Sequence, residues 1–225
     1  MLEKKKAIIF DLDGSLVDSM WIWPEVDRLY LEKYRLTPPA DFQAKIDGMS
    51  FTETAQYFLD IFPELTFTLE DVKKEWVDMT KELYATRVQL KPGAGDFLKW
   101  MHSCNMLMGI ATSNARELVD AVLDALDIRN FFSAIRTSCE VAAGKPAPDV
   151  YLKVAQDLQV EPECCLVFED IPNGIMAGKN AGMSVCAVDD DYSKTETPQK
   201  RKLADYFIYD YHDIGNHTYE ICGRA

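Results

Sequence analysis

The sequence predicts an α/β chain: a doubly wound parallel sheet with a small α-helical bundle inserted near its start. Three observations carry this. Beyond residue 90, short apolar runs alternate with helical patterns, which means parallel strands covered on both faces. Several of these runs end in polar residues able to do chemistry, and ligands bind beyond the carboxyl ends of strands in open α/β sheets. Residues 20 to 89, in contrast, carry little strand signal and much helical patterning.

Taken in order, Ala7-Ile8-Ile9-Phe10 is a short, β-rich run that reads as a buried parallel strand. A helix should begin at Trp23-Pro24-Glu25 and run to about Tyr34, with Val26, Leu29, Tyr30 and Lys33 at helical spacing. Thr37-Pro38-Pro39 is a break, and Asp41 can cap a short helix ending near Gly48. Ser50-Phe51-Thr52-Glu53 reads as a capping box opening a helix to Ile61, closed by Pro63. Leu69 to about Arg87 is a longer helix, with Val72, Trp76, Met79, Leu83 and Tyr84 on one stripe. These four helices make the inserted bundle.

Lys91-Pro92-Gly93-Ala94 marks the return to the sheet. Strands are expected at Met106–Ala111, Ala134–Arg136, Cys164–Phe168 and Val185–Val188, with Phe207-Ile208 as a last edge strand. Helices are expected at Asp96–His102, Arg116–Leu126, Pro148–Leu158 and Asn173–Ala181. The tail beyond Asp213 gives no clear signal.

At 225 residues the chain suits one domain with an insertion, or two modest domains. Its 48% hydrophobic and 27% charged residues are ordinary for a globular protein. The net charge of −13 argues against a nucleic-acid backbone or an anionic membrane as partner. It leaves room for a small anionic substrate, because a metal and one lysine reverse the sign of a pocket locally. The six cysteines form no Cys-x-x-Cys pair, and several sit in apolar runs as small core residues. The charged start (Glu3, Lys4, Lys5, Lys6) lacks a following apolar segment, so neither a signal peptide nor a membrane span is expected. A cytoplasmic monomer is the default expectation.

The first strand runs directly into Asp11 and Asp13, one residue apart, and then Gly14. One carboxylate can attack phosphorus when a metal neutralises the phosphate charge. The other can give a proton to the leaving oxygen. Gly14 supplies the backbone freedom to turn both toward one point. Asp-x-Asp-Gly also resembles part of a calcium loop, but such a loop has its glycine at position six and a helix in front. A solvated loop end is the other plain alternative.

Three further places share this geometry: Thr112-Ser113-Asn114 after one strand, Lys145 in Gly-Lys-Pro-Ala-Pro-Asp, and Glu169-Asp170 after another. Carboxylates suit Mg²⁺, a hard oxygen-seeking ion. Thr112 offers a hydroxyl, and Ser113 and Asn114 offer backbone N–H groups at a helix start, where phosphate is readily bound. Lys145 supplies fixed positive charge among crowded anions. Each also has a plain alternative: Thr112 as a helix cap, Lys145 as a turn residue, Glu169-Asp170 as a cap for the next helix. Asp18 and Ser19 read as shaping the start of the insertion, and Asp189-Asp190-Asp191 as a solvated loop. Gly144-Lys145 is not a nucleotide P-loop, since the upstream glycine and following Ser/Thr are missing.

Together these motifs resemble the haloacid dehalogenase superfamily, in its phosphatase and β-phosphoglucomutase-like branch with a helical cap. The resemblance covers essentially the whole chain. It is carried by Phe10-Asp11-Leu12-Asp13-Gly14 through Asp18-Ser19, by Ile110-Ala111-Thr112-Ser113-Asn114, by Gly144–Asp149, and by Phe168-Glu169-Asp170 through Asn173-Gly174. It implies a Rossmann-like core of residues 1–18 and 90–225, with a cap of residues 19–89. Asp11 would be nucleophile and metal ligand, forming an aspartyl-phosphate. Asp13 would be general acid, then base, with its carbonyl on the metal. Thr112, Ser113, Asn114 and Lys145 would bind the phosphoryl group. Asp170 would hold Mg²⁺, with Glu169 a ligand or an outer neighbour. The implied function is a Mg²⁺-dependent phosphatase of a small phosphorylated metabolite, such as a sugar phosphate.

Met20, Trp21, Trp23 and the Gly48–Phe51 turn are the expected site-facing part of the cap. Sugar-phosphate mutases of this branch, the alternative function, typically place an arginine just after the cap glycine; here Phe51 stands in that place. A 2-haloacid dehalogenase would need neither Mg²⁺ nor Asp13. A phosphorylated signalling receiver would be shorter, uncapped, and phosphorylated on a later strand.

Overall fold

The computed structural model describes residues 1–46 and 51–223. The four-residue run β1 (Ala7–Phe10) is fully buried, and it forms the centre of the sheet for that reason: an unbroken apolar strand has no face to give to water. It lies parallel between β4 (Leu107–Thr112) and β6 (Cys165–Glu169), with Ala7 level with both Leu107 and Cys165. Outward from β4 lies β5 (Ala134–Thr137). Outward from β6 lie β7 (Ser184–Val188) and β8 (Tyr206–Ile208), both parallel. With a last short strand, β9 (Glu220–Ile221), the described residues form a seven-stranded sheet of order β5-β4-β1-β6-β7-β8-β9.

The expectation of an edge strand at Phe207-Ile208 needs correction. β9 (Glu220–Ile221) pairs antiparallel outside β8 and takes the edge. A two-residue strand in a polar tail shows no periodicity, so pattern reading had nothing to detect there.

Alternate side chains of the strands feed two layers. Phe10 and Phe168 stack at 5.4 Å, and Tyr211 lies 6.3 and 5.2 Å from them. This layer is covered by α5 (Ala94–Ser103) and α6 (Arg116–Ala125), through Phe97, Leu98 and Val122. Ile9, Val167 and Val185 point to the other layer, under α7 (Asp149–Leu158) and α8 (Pro172–Asn180). Each fully buried large side chain contributes on the order of 1.5–3 kcal/mol. The remaining helices of this part are α9 (Thr197–Leu203) and α10 (His212–Asn216).

Between β1 and α5 the chain makes a detour. A two-residue strand β2 (Val17–Asp18) leads out and β3 (Gln89–Leu90) leads back, paired antiparallel with Val17 opposite Leu90. Between them stand α1 (Ile22–Tyr34), α2 (Phe42–Ile46), α3 (Phe51–Ile61) and α4 (Leu69–Thr86). The first starts slightly ahead of the Trp23-Pro24 expectation. The capping box expected at Ser50 lies outside the described residues. A capping box does open α4, where Thr68 Oγ1 accepts from the Asp71 backbone and Asp71 returns the bond. Three of these helices, α1, α3 and α4, share an aromatic centre: Tyr30, Phe58 and Trp76 meet edge to face, with centroids 4.9 to 5.8 Å apart. Helix α4 also packs across α6, which seats the detour over the carboxyl end of the sheet. No helix among the described residues is long and apolar enough to cross a membrane.

Candidate active site

The carboxyl ends of β1, β4 and β6 sit side by side, and each carries polar residues. Asp11 follows β1 directly and is buried, with its backbone N–H donating to Phe168 O at 2.9 Å. The chain then turns at Gly14, whose φ of +79° places it in the left-handed region. A Cβ there would lie 2.3 Å from Asp170 Oδ2, so only glycine lets the two loops approach this closely.

Lys145 comes from the loop before α7 and reaches the same point. Its side chain is 5% exposed, with Nζ 2.5 Å from Asp11 Oδ1 and 2.7 Å from Glu169 Oε1. Burial opposes its charge, but Asp11 and Glu169 together hold the ammonium above its ordinary pKa. Burial pushes the carboxyls of Asp11 and Asp170 up, and neighbouring carboxylates add to the effect. Lys145 counters it at Asp11. Glu169 takes four hydrogen bonds. Oε1 accepts from Lys145 and from Tyr151 Oη at 2.8 Å, and Oε2 accepts from the backbones of Asp170 and Ile171 at 3.0 and 3.3 Å. Gly174 makes room for it, since a Cβ there would fall 1.7 Å from Glu169 Oε1.

Asp11, Glu169 and Asp170 offer carboxylate oxygens that all lie within 4.8 Å of one another, and all three residues are buried. Three carboxylates against the single ammonium of Lys145 leave two negative charges. One divalent cation would offset them, and an all-oxygen donor set suits Mg²⁺. The residues present therefore fit such an ion.

Asp13 is held from three sides. Ser19 Oγ donates to its Oδ1 at 2.6 Å, Tyr84 Oη donates to the same oxygen, and Asn114 Nδ2 donates to Oδ2 at 2.9 Å. Thr112, buried at the end of β4, accepts the Asn114 backbone N–H at 3.1 Å. Helix α6 begins only at Arg116, with no side-chain cap, so Thr112 is not a helix cap. Ser113 is exposed at the same turn. Together, Asp11, Asp13, Thr112, Ser113, Asn114, Lys145 and Asp170 line a cleft of about 210 Å³. Met20, Trp23 and Ile171 complete its wall. Glu169 stands behind Lys145, in the acid cluster.

Of the expected cap residues, Met20 and Trp23 face the cleft. Trp21 instead donates to Asp18 O at 2.9 Å and lies under the Arg87 guanidinium. Gly48, Met49 and Ser50, and the side chain of Phe51, lie outside the described residues. Asp189-Asp190-Asp191 is not simply a solvated loop. Asp190 is 3% exposed and pairs with Lys91 at 2.6 Å. Next to it, the fully buried Lys200 donates to Ser193 Oγ at 3.0 Å, and Ser193 donates to Asp170 O at 2.8 Å. Ser15, which donates to Asp170 Oδ1 at 2.9 Å, and Tyr151 and Tyr84 were also not singled out by sequence as site residues. The spacing Asp170–Ser15 has no local pattern to reveal it.

Comparison with known proteins agrees with this geometry. The family model described as "Haloacid dehalogenase-like hydrolase" matches residues 8–188. A Drosophila melanogaster protein named "Probable pseudouridine-5'-phosphatase" is 32% identical over 198 residues, 84% of each chain. The "Phosphorylated carbohydrates phosphatase" of Thermotoga maritima is 30% identical over 178 residues, 79% of this chain and 82% of its own. The phosphate complex of CbbY from Rhodobacter sphaeroides superposes with a TM-score of 0.76 at 22% identity, covering 94% and 96% of the two chains, a likeness of fold. The chain belongs to the haloacid dehalogenase-like hydrolases, in their phosphatase branch.

Proposed function

We propose that the protein is a Mg²⁺-dependent phosphatase that hydrolyses a small phosphorylated, hydroxyl-bearing metabolite through a phosphorylated Asp11. The observation that carries the proposal is the Lys145 ammonium held between Asp11 and Glu169, next to Asp170. Three segments far apart in sequence meet there. The names of the pseudouridine-5'-phosphate and phosphorylated-carbohydrate phosphatases support the substrate class.

In this reading residues 19–89 form a cap over a core of residues 1–18 and 90–225. Asp11, Asp170 and the Asp13 carbonyl would hold the cation, and Glu169, engaged by four donors, acts chiefly by fixing Lys145. Bound Mg²⁺ supplies charge neutralisation for the phosphoryl oxygens. Lys145 binds those oxygens and, against the effect of burial, favours the ionised form of Asp11. Thr112, Ser113 and the Asn114 turn receive the phosphoryl group at the end of β4. An Asp11 oxygen attacks phosphorus, and Asp13 gives the leaving oxygen its proton. Asp13 then takes a proton from the water that cleaves the acyl phosphate. Met20 and Trp23 keep bulk water from the leaving group.

A panel of phosphorylated metabolites assayed with Mg²⁺, and with a chelator, tests this. Released phosphate should depend on the cation. A sugar phosphate isomerised faster than it is hydrolysed would instead identify a mutase. Turnover retained by Asp11→Asn would overturn the nucleophile assignment.

A further inference from the structure

We infer that Tyr84, a residue of α4 in the inserted helices, is a positioning residue for the proton donor of the reaction. This rests on the assignment of Asp13 as general acid given above. A carboxylate has about four lone-pair sites, two on each oxygen. On Asp13, Oδ1 receives both Ser19 Oγ and Tyr84 Oη, so both of its sites are filled. Oδ2 receives only Asn114 Nδ2, at 2.9 Å. One site remains, and it is on Oδ2. The clamp therefore selects which oxygen carries the transferable proton and fixes the plane of the carboxyl group.

Two of the three donors, Asn114 and Tyr84, also brace one another. Asn114 Nδ2 lies 2.9 Å from Tyr84 Oη as well as from Asp13. Its own orientation is set by the Ala115 backbone, which donates to Asn114 Oδ1 at 2.7 Å. Ser19 comes from the outgoing connection, Asn114 from the end of β4, and Tyr84 from α4. The acid is thus fully oriented only while α4 is seated over the sheet edge.

In the step concerned, Asp11 forms a bond to phosphorus and the bond from phosphorus to the leaving oxygen breaks. Its electron pair stays on that oxygen, and the proton passes to it from Asp13 Oδ2, giving an alcohol and the Asp13 carboxylate. Water attacking the phosphorylated Asp11 later returns a proton to Asp13. A leaving group that departs as a stable anion does not need the first proton.

This difference provides the test. With wild type and Tyr84→Phe, kcat/KM is measured for a simple alkyl phosphate and for 4-nitrophenyl phosphate, both with Mg²⁺. For a two-step reaction this ratio reports only events up to release of the leaving group. Tyr84→Phe should lower it about tenfold for the alkyl ester, a fraction of what a general acid supplies, and less than about twofold for the nitrophenyl ester. Ser19→Ala, which removes the other Oδ1 donor, should show the same selectivity and guards against a fold defect peculiar to position 84. Equal losses on both esters, or no loss on either, would overturn the positioning role while leaving the phosphatase reading intact. A wild-type protein that hydrolyses neither ester would overturn that reading, and this inference with it.

Discussion

The sheet edge and the inserted helices treat buried polar atoms in opposite ways. At the edge, Glu169 takes four hydrogen bonds and Asp13 takes three. Lys145 is shared between two carboxylates. In the helices, the hydroxyl of the fully buried Tyr30 has no partner among the described residues. Asp27, on the next helical turn after Trp23, is pushed up to about 6 by burial alone. A densely hydrogen-bonded network holds its atoms to fractions of an ångström, which is what phosphoryl transfer needs. The helices provide an apolar wall, where shape matters more than satisfied polarity.

This contrast can be broken at its strongest point first. Asp11→Asn should lower phosphate release by about 10⁴-fold or more while circular dichroism and melting stay near wild type, because it removes the proposed nucleophile and keeps its shape. Gly174→Ala is the next largest. Its Cβ would displace Glu169 and, through it, Lys145. We expect about 10²-fold lower kcat/KM and a loss of about 2 kcal/mol in urea unfolding.

The helices should respond in the other direction. The Asp27 carboxyl has a folded pKa of about 6, above its unfolded value. Stability is therefore lost as pH rises through the interval between the unfolded value and about 6, and the full penalty holds above it. Asp27→Asn should stabilise the protein near pH 8 by on the order of 2 kcal/mol, with no gain at a pH below the unfolded value. Denaturant midpoints at the two pH values check this; an equal gain at both would mean that Asp27 acts through packing. The smallest effect is that of Tyr30→Phe, which removes an unmet hydroxyl from the aromatic centre. It should raise stability by about 1 kcal/mol and leave kcat/KM unchanged.

The sheet was largely legible in the sequence because buried parallel strands need apolar residues on both faces, as Ala7–Phe10 and Cys165–Phe168 have. The acids stood out because they adjoin those runs. Lys145 drew attention only through its motif, since nothing local distinguishes it from a turn lysine. Tyr84 was visible as part of the α4 stripe with Val72, Trp76 and Leu83, and three-dimensional packing alone shows that its hydroxyl reaches Asp13. A tyrosine on such a stripe looks like any core aromatic until its oxygen has a partner. Asp190 misled for the converse reason. Three consecutive aspartates suggest water, yet Lys91, 99 residues away, draws the middle one inward.

The short ladder of Val17 and Asp18 against Leu90 and Gln89 has a further meaning. Paired residues in such a ladder stand about 5 Å apart, so a detour of some seventy residues returns almost to its point of departure. The central sheet would keep its register with a far shorter connection in that place. Replacing the whole segment by a hairpin turn is therefore topologically neutral, and a foreign module could be grafted at the same gate. Two backbone strands carry the chain into the inserted helices and back, and through Tyr84 those helices still reach the carboxyl end of the sheet.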